Sequence, residues 1–273
     1  MHLPDAMNDI FERIRSNNPW WKSVSAIGDD PLLLELAGKR YQYFHPLIST
    51  LPLNKDGVMT IRGPRRVGKS TLLRLIIKKL LQKEKTPKEA VFSFACDRIT
   101  DYNELFAVIK TYLDFARPRT NSRLFIFLDE ISFVKNWQLA IKEMVDAGLL
   151  KNSLMILSGS SILDLRYAEG IFPNIFYYPL SFGEFVNIID PSLISNSEVL
   201  SLTYRLPKLS KLFDDYLLTG GFMKIINEYF ATGRITNGSY ETLLTAFEND
   251  INKIGRNGTT AYQIVSNLIR TMT

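Results

Sequence analysis

Cysteine occurs once in the 273 residues, at Cys96, so no internal disulfide can form, and its position in an apolar run reads as a buried thiol. Such sparing use fits a reducing compartment, and a cytoplasmic location is the expectation. Histidine is nearly as scarce: His2 and His45 stand apart, which leaves no metal-ligand cluster and no Cys-His or Ser-His-Asp arrangement. Long apolar runs are also missing. The stretch 72–81 is interrupted by Arg74, Lys78 and Lys79, far short of the roughly 20 apolar residues of a membrane span. Asp5, Asp9 and Glu12 exclude the basic-then-apolar profile of a secretory signal. No repeat or low-complexity tract is visible. Nor does one charge sign dominate, since 33 Lys and Arg face 28 Asp and Glu, and their interleaving reads as solvated surface rather than as a polyanion-binding tract.

What the chain does contain is alternation. Residues 1–56 form a lead-in segment with Asn18-Pro19, Trp20-Trp21, Asp30-Pro31 and a helical pattern near 32–43. From residue 57, short apolar runs alternate with amphipathic stretches, as in βαβ units around a parallel sheet. Strands are expected at 58–62, 91–95, 124–128, 153–157 and 175–178. The helix after the first strand puts Leu72, Leu73, Ile76, Leu80 and Leu81 on apolar faces and leaves Lys78 and Lys79 to solvent. A helix over 136–147 buries Trp137, Ile141 and Met144 and stops at Gly148, a suitable C′ residue. Alternation ends near Pro179, and helical pattern follows. The expected organisation is therefore a lead-in at 1–56, an α/β core at 57–190, a smaller helical domain at 191–250, and the start of a further domain at 251–273. Trp20, Trp21 and Trp137 read as core or docking aromatics, because no dense basic setting makes them base-stacking platforms.

The chemistry sits at strand ends. Gly63-Pro64-Arg65-Arg66-Val67-Gly68-Lys69-Ser70 matches G-x-x-x-x-G-K-[ST], directly after an expected strand and before an expected helix, with Thr71 next. Backbone N–H groups of such a loop converge on phosphate oxygens, glycine permits the close approach, and the helix N-terminus adds positive partial charge. Lys69 is placed to reach the β- and γ-phosphates, and the Ser70 hydroxyl to coordinate Mg2+. Residues 124–128 then lead into Asp129-Glu130, an apolar strand ending in two carboxylates, the Walker B form. Asp129 is assigned to the Mg2+ shell and Glu130 to the attacking water. Taken alone, acids after a strand also serve as turn or cap residues.

Between Thr71 and Arg123 there is room for a helix, a strand and another helix, so the Asp-Glu strand is third in sequence. That order, with glutamate after aspartate, is similar to the ATPase division of P-loop proteins rather than the kinase or GTPase division. A guanine reader Asn-Lys-x-Asp is lacking: Asn54-Lys55-Asp56-Gly57 precedes the loop and has glycine where aspartate is needed. After the fourth strand, Ser158-Gly159-Ser160-Ser161 lies at the carboxyl edge, where open α/β sheets bind ligands. Ser158 is the first candidate to contact the γ-phosphate or the water and Ser160 the second, with N-capping the alternative for Ser160 and Ser161.

These pieces, with Asp129-Glu130-Ile131, Pro179-Leu180-Ser181-Phe182-Gly183-Glu184-Phe185 and Gly220-Gly221-Phe222, resemble a family of archaeal and bacterial AAA-type ATPases over roughly residues 40–226. Members join this ATPase to a C-terminal domain of unknown function, often with winged-helix and nuclease-like features. The resemblance implies a three-layer, AAA-like P-loop core of about five parallel strands followed by a helical lid, with ATP as ligand and hydrolysis as the activity. Two departures stand out. Pro173-Asn174 occupies the place of a family Gly-Arg, leaving Arg166 as the nearest substitute, and Met223 replaces a proline near the adenine. Lys224 is either a lid contact to phosphate or a solvated side chain. The expected function is Mg2+-dependent ATP hydrolysis. The alternative is a slow nucleotide-dependent switch, associated with DNA through a domain beyond this chain. A homo-oligomer is a further expectation, with no membrane partner.

Overall fold

The computed structural model describes residues 5–159, 174–194 and 201–252. Two compact units divide the chain: Met1–Glu35, His45–Gly63 and Lys69–Phe176 form one, and Leu36–Phe44, Pro64–Gly68 and Tyr177–Thr273 form the other.

The first unit is built on five strands: β1 (Gly57–Arg62), β2 (Val91–Ala95), β3 (Leu124–Asp129), β4 (Ser153–Gly159) and β5 (Asn174–Phe176). Every pairing is parallel, in the order β2-β3-β4-β1-β5. Strands buried on both faces need apolar residues at successive positions. β3 and β4 meet that demand with Leu-Phe-Ile-Phe-Leu-Asp and Ser-Leu-Met-Ile-Leu-Ser-Gly, buried almost throughout. On one face Phe92, Phe94, Leu124, Ile126, Leu128, Met155 and Leu157 pack with Ile14 of α1 (Asp5–Asn17). The same cluster takes in Leu105, Ile109 and Tyr112 from a later helix and Trp137, Ile141 and Met144 from another. By strand alternation the opposite face carries Val91, Phe127 and Ile156, all fully buried.

The helices follow in chain order. α2 (Pro31–Ala37) and α3 (Leu47–Thr50) precede β1, and α4 (Lys69–Gln82) packs against β2 and β3 through a stripe that includes Leu72, Leu73, Ile76, Ile77, Leu80 and Leu81. α5 (Tyr102–Ala116) starts at Asp101, whose carboxylate accepts the N–H groups of Asn103 and Glu104. α6 (Trp137–Asp146) ends as the sequence predicts, with Gly148 at φ +67.

The lead-in does more than precede the core: it seals the edge of the sheet. β2 is an edge strand, and its outer backbone groups need partners. Asn18, fully buried, donates to Ser93 O at 2.9 Å and accepts Ser93 N–H at 2.7 Å, while the Trp20 and Trp21 indoles both donate to Val91 O at 2.9 Å. Among the described residues no helix is long and apolar enough to cross a membrane.

The second unit is helical: α7 (Phe182–Ile189), α8 (Ser201–Thr219), α9 (Met223–Thr232) and α10 (Asn237–Asn252). Leu180, Phe185, Val186, Leu193 and Ile226 form its core, ringed by Tyr41, Tyr43, Phe182, Tyr216 and Phe230. The helix expected near 32–43 stops at Ala37. The backbone of Tyr41 is instead held on both sides by the Asn227 amide, at 3.0 Å and 2.9 Å, a tertiary bond that outweighs local helical pattern.

Candidate functional site

Within the first unit, the ends of β3, β4 and β1 lie side by side, because Leu128 pairs with Leu157 and Ile61 with Ser158. Parallel strands all end on one edge, so Asp129, Ser158 and the start of the loop after Arg62 share it. Gly63 leaves β1, and Lys69 opens α4. The Lys69 ammonium, 4% exposed, donates to Gly63 O at 2.9 Å, closing the loop's two ends on each other. No acidic residue occupies the first turn of α4, so no carboxylate on that turn offsets the positive partial charge of the helix N-terminus.

The loop's middle, Pro64–Gly68, groups with the second unit. Its backbone turns twice through positive φ, at Arg66 (+67) and Gly68 (+113). Alternation between right- and left-handed conformations makes successive N–H groups converge, the concave nest that binds anions. Arg66 carries that conformation with a side chain, which lines a crevice of about 30 Å³ with Phe222, Lys224 and Thr242.

On the acidic side, one hydroxyl organises the pair. Ser158, fully buried, donates to Asp129 Oδ1 and accepts the Glu130 N–H at 3.1 Å. Asp129 and Glu130 are thus brought together through Ser158, which the sequence placed here as a candidate contact for phosphate or water. Glu130 sits in the left-handed region at φ 54, ψ 42, a conformation that costs a non-glycine residue about 1–2 kcal/mol. Such strain persists where the surroundings fix it, and it concentrates at functional sites. Cys96, at the end of β2, has its thiol pushed well up by burial and further by the Asp129, Asp97 and Glu130 charges. It therefore stays protonated and inert, as an apolar filler.

Among the described residues no cluster of three or more His, Cys, Asp or Glu could cage a metal. Mg2+ in phosphate sites is held by one or two protein oxygens together with substrate phosphates and water, and Ser70 and Asp129 are of the right chemistry for that role. Ser160, Ser161 and Arg166 lie outside the described residues. Sequence reasoning missed Tyr177, whose ring lies against Gly68, and the double duty of Glu184. The Ser181-x-x-Glu184 spacing of a capping box was the available signal.

Residues 55–186 match the family model of an AAA domain. The matched stretch contains the phosphate loop, the Asp-Glu pair and Ser158, and supports a P-loop ATPase-type domain over these residues. An uncharacterized protein of Methanocaldococcus jannaschii is 27% identical over 137 residues, covering 49% of this chain and 28% of that protein. The match thus spans less than a third of that relative's length. Among solved structures, a STAND protein with a tetratricopeptide repeat sensor from Pyrococcus horikoshii is similar over 79% of this chain and 34% of its own, at 13% identity and TM-score 0.46. A katanin self-assembly structure is similar over 89% and 86%, at 12% identity and TM-score 0.36. Nothing about activity follows from structural likeness of this degree.

Proposed function

We propose that the chain binds ATP with Mg2+ and hydrolyses it at the carboxyl edge of the sheet. The observation that most supports this is the Ser158 hydroxyl, which ties Asp129 to the backbone of Glu130 on the same edge from which the phosphate loop leaves β1. The loop amides and the α4 N-terminus bind the phosphates, and Lys69 exchanges Gly63 O for a phosphate oxygen. Mg2+, held through Ser70 and Asp129, would neutralise charge on the transferred phosphoryl group. Glu130 orients the attacking water and accepts its proton. Ser158 acts through the other two, holding the Asp129 carboxylate and the strained Glu130 backbone in place. DNA is left out of the proposal, because cations such as Arg13, Arg74 and Arg123 are engaged by Glu104, Asp30 and Asp56.

ATP turnover with Mg2+ tests the reading. The parent chain is expected to hydrolyse ATP, Glu130→Gln to bind ATP with turnover reduced at least about 100-fold, and Lys69→Ala to lose binding. Undiminished turnover in Glu130→Gln would remove its role.

A nucleotide-dependent switch with very slow turnover is the second reading, favoured by the grouping of Pro64–Gly68 with the helical unit. Binding without hydrolysis, together with a protease-cleavage pattern over residues 177–252 that differs between ATP and ADP, is its signature. An identical pattern with both nucleotides would exclude it.

A further inference from the structure

We propose that Tyr177 is a positioning residue for the phosphate loop, the end of a strap that fixes the loop's conformation to the turn at Gly220-Gly221. The proposal rests on the ATP-binding reading for its effect on affinity, and on the second unit alone for its geometry.

Contact with the loop is direct. A methyl group at Gly68 would stand 3.4 Å from the Tyr177 hydroxyl oxygen and 3.8 Å from Cε1, so the ring lies against the last residue before Lys69. Tyr177 is 5% exposed and has little room to swing away. Its hydroxyl is held protonated by burial and by the nearby Glu184 charge, so it adds no negative charge beside an anion-binding loop.

Three residues on, the strap is tied down from several directions. Leu180 N–H donates to Gly221 O at 2.9 Å, and Leu180 O accepts from the Tyr216 hydroxyl at 2.9 Å. Gly221, at φ +73, approaches so closely that a Cβ there would lie 2.5 Å from Leu180 O, which only glycine allows. Ser181 and Glu184 close a capping box at the start of α7, and Glu184 also accepts the Tyr43 hydroxyl at 2.6 Å. Arg66 meets Phe222 and Lys224, the residues just past Gly221, in one crevice. Loop positions 66 and 68 are therefore both referred to the same glycine turn, one through the crevice and one through Tyr177.

A loop whose N–H groups must converge binds phosphate best when that shape is already set, because ordering a residue on binding costs about 1–2 kcal/mol each. Ring atoms Cε1 and Cζ stand within 3.9 Å of the same Gly68 methyl position as the hydroxyl, and the constraint is assigned to the ring as a whole. Tyr177→Leu is therefore expected to weaken ATP binding by roughly tenfold and to raise KM with kcat at saturation near the parent value, whereas Tyr177→Phe keeps parental affinity.

The experiment combines ATP titration and turnover with amide hydrogen exchange at residues 66–69 in the absence of nucleotide, on the full chain. Faster exchange at these amides in Tyr177→Leu, restored by Phe, with an unchanged unfolding midpoint, supports the role. Should Tyr177→Leu unfold, Tyr177→Met, unbranched and able to fill an irregular gap but without the rigid ring, is expected to show the same exchange and affinity changes. Parental affinity and exchange in folded Leu or Met variants would overturn the proposal. If the parent itself binds no ATP, the ATP reading fails, and the exchange measurement alone then decides whether Tyr177 positions the loop.

Discussion

The two units solve the same problem with different materials. The first buries whole strands: β3 and β4 carry apolar residues on both faces, and buried polar side chains are few, with Asn18 and Ser158 hydrogen-bonded. The second has a cluster of five buried apolar residues, Leu180, Phe185, Val186, Leu193 and Ile226, and adds hydroxyls and amides that reach between its segments, as Tyr43 to Glu184, Tyr216 to Leu180, Tyr229 to Asp215 and Asn227 to Tyr41. Leu206, Phe213, Leu217 and Leu218 of α8 are left exposed. Non-directional burial resists disturbance by volume, whereas directional bonds can be undone one group at a time. A nucleotide cycle that moves any part of this chain would move the second kind.

The sharpest way to break this comparison is Phe127→Ala. Removing a fully buried ring from β3 is expected to destabilise by about 3–5 kcal/mol, read as a fall in the urea midpoint by a probe on the sheet. If probes on the helical unit fall by the same amount, the two units unfold as one and the contrast is lost.

Gly221→Ala comes next. Positive φ and the close approach to Leu180 O are expected to cost the helical unit about 1–3 kcal/mol, seen as faster proteolysis within residues 177–252. Ser181→Ala removes half of a capping box and is expected to cost about 1 kcal/mol in the same assay. Larger losses from this one hydroxyl than from Phe127→Ala would reverse the ranking of materials.

The smallest effect belongs to the Arg13–Glu104 pair, 2.8 Å apart and 34% and 25% exposed. Burial pushes the Glu104 carboxyl up, but hydrogen bonds from Arg13 and Thr100 outweigh it and hold the folded pKa below the usual carboxylate value. A depressed folded pKa contributes stability in full above the unfolded value, near 4.3, and loses it as pH falls through the folded pKa. Arg13→Gln should therefore be less stable than the parent by a few tenths of a kcal/mol, about 0.2–1 at most, near pH 7, and the difference should vanish in acid. Urea unfolding at both pH values checks it.

The sheet was legible because its signal is redundant. Strands 91–95, 124–128 and 153–157 announce themselves by largely apolar runs, and β1 opens at Gly57 and runs into the phosphate loop. β3 and β4 merely extend one or two residues further, to Asp129 and Gly159. The Asp-Glu pair and Ser158 were legible too, but not the bond between them, since two residues on different strands meet through register, which sequence does not print. Long-range side-chain bonds account for the other differences. Lys79, expected in solvent, reaches back to Ile48 O at 3.0 Å, and Tyr41 leaves a helical pattern for Asn227. Tyr177 gave no sign at all: nothing in its neighbours marks a ring that will rest on a glycine far upstream.

The seal on the edge of β2 has a consequence for how the chain is made. Asn18 leaves the ribosome well before its partner Ser93, 75 residues later, an interval of about 4–15 s at synthesis rates of roughly 5–20 residues per second. Until β2 emerges, Asn18, Trp20 and Trp21 have no strand to hold. The segment that will close the edge of the nascent sheet is thus already outside when that edge first appears.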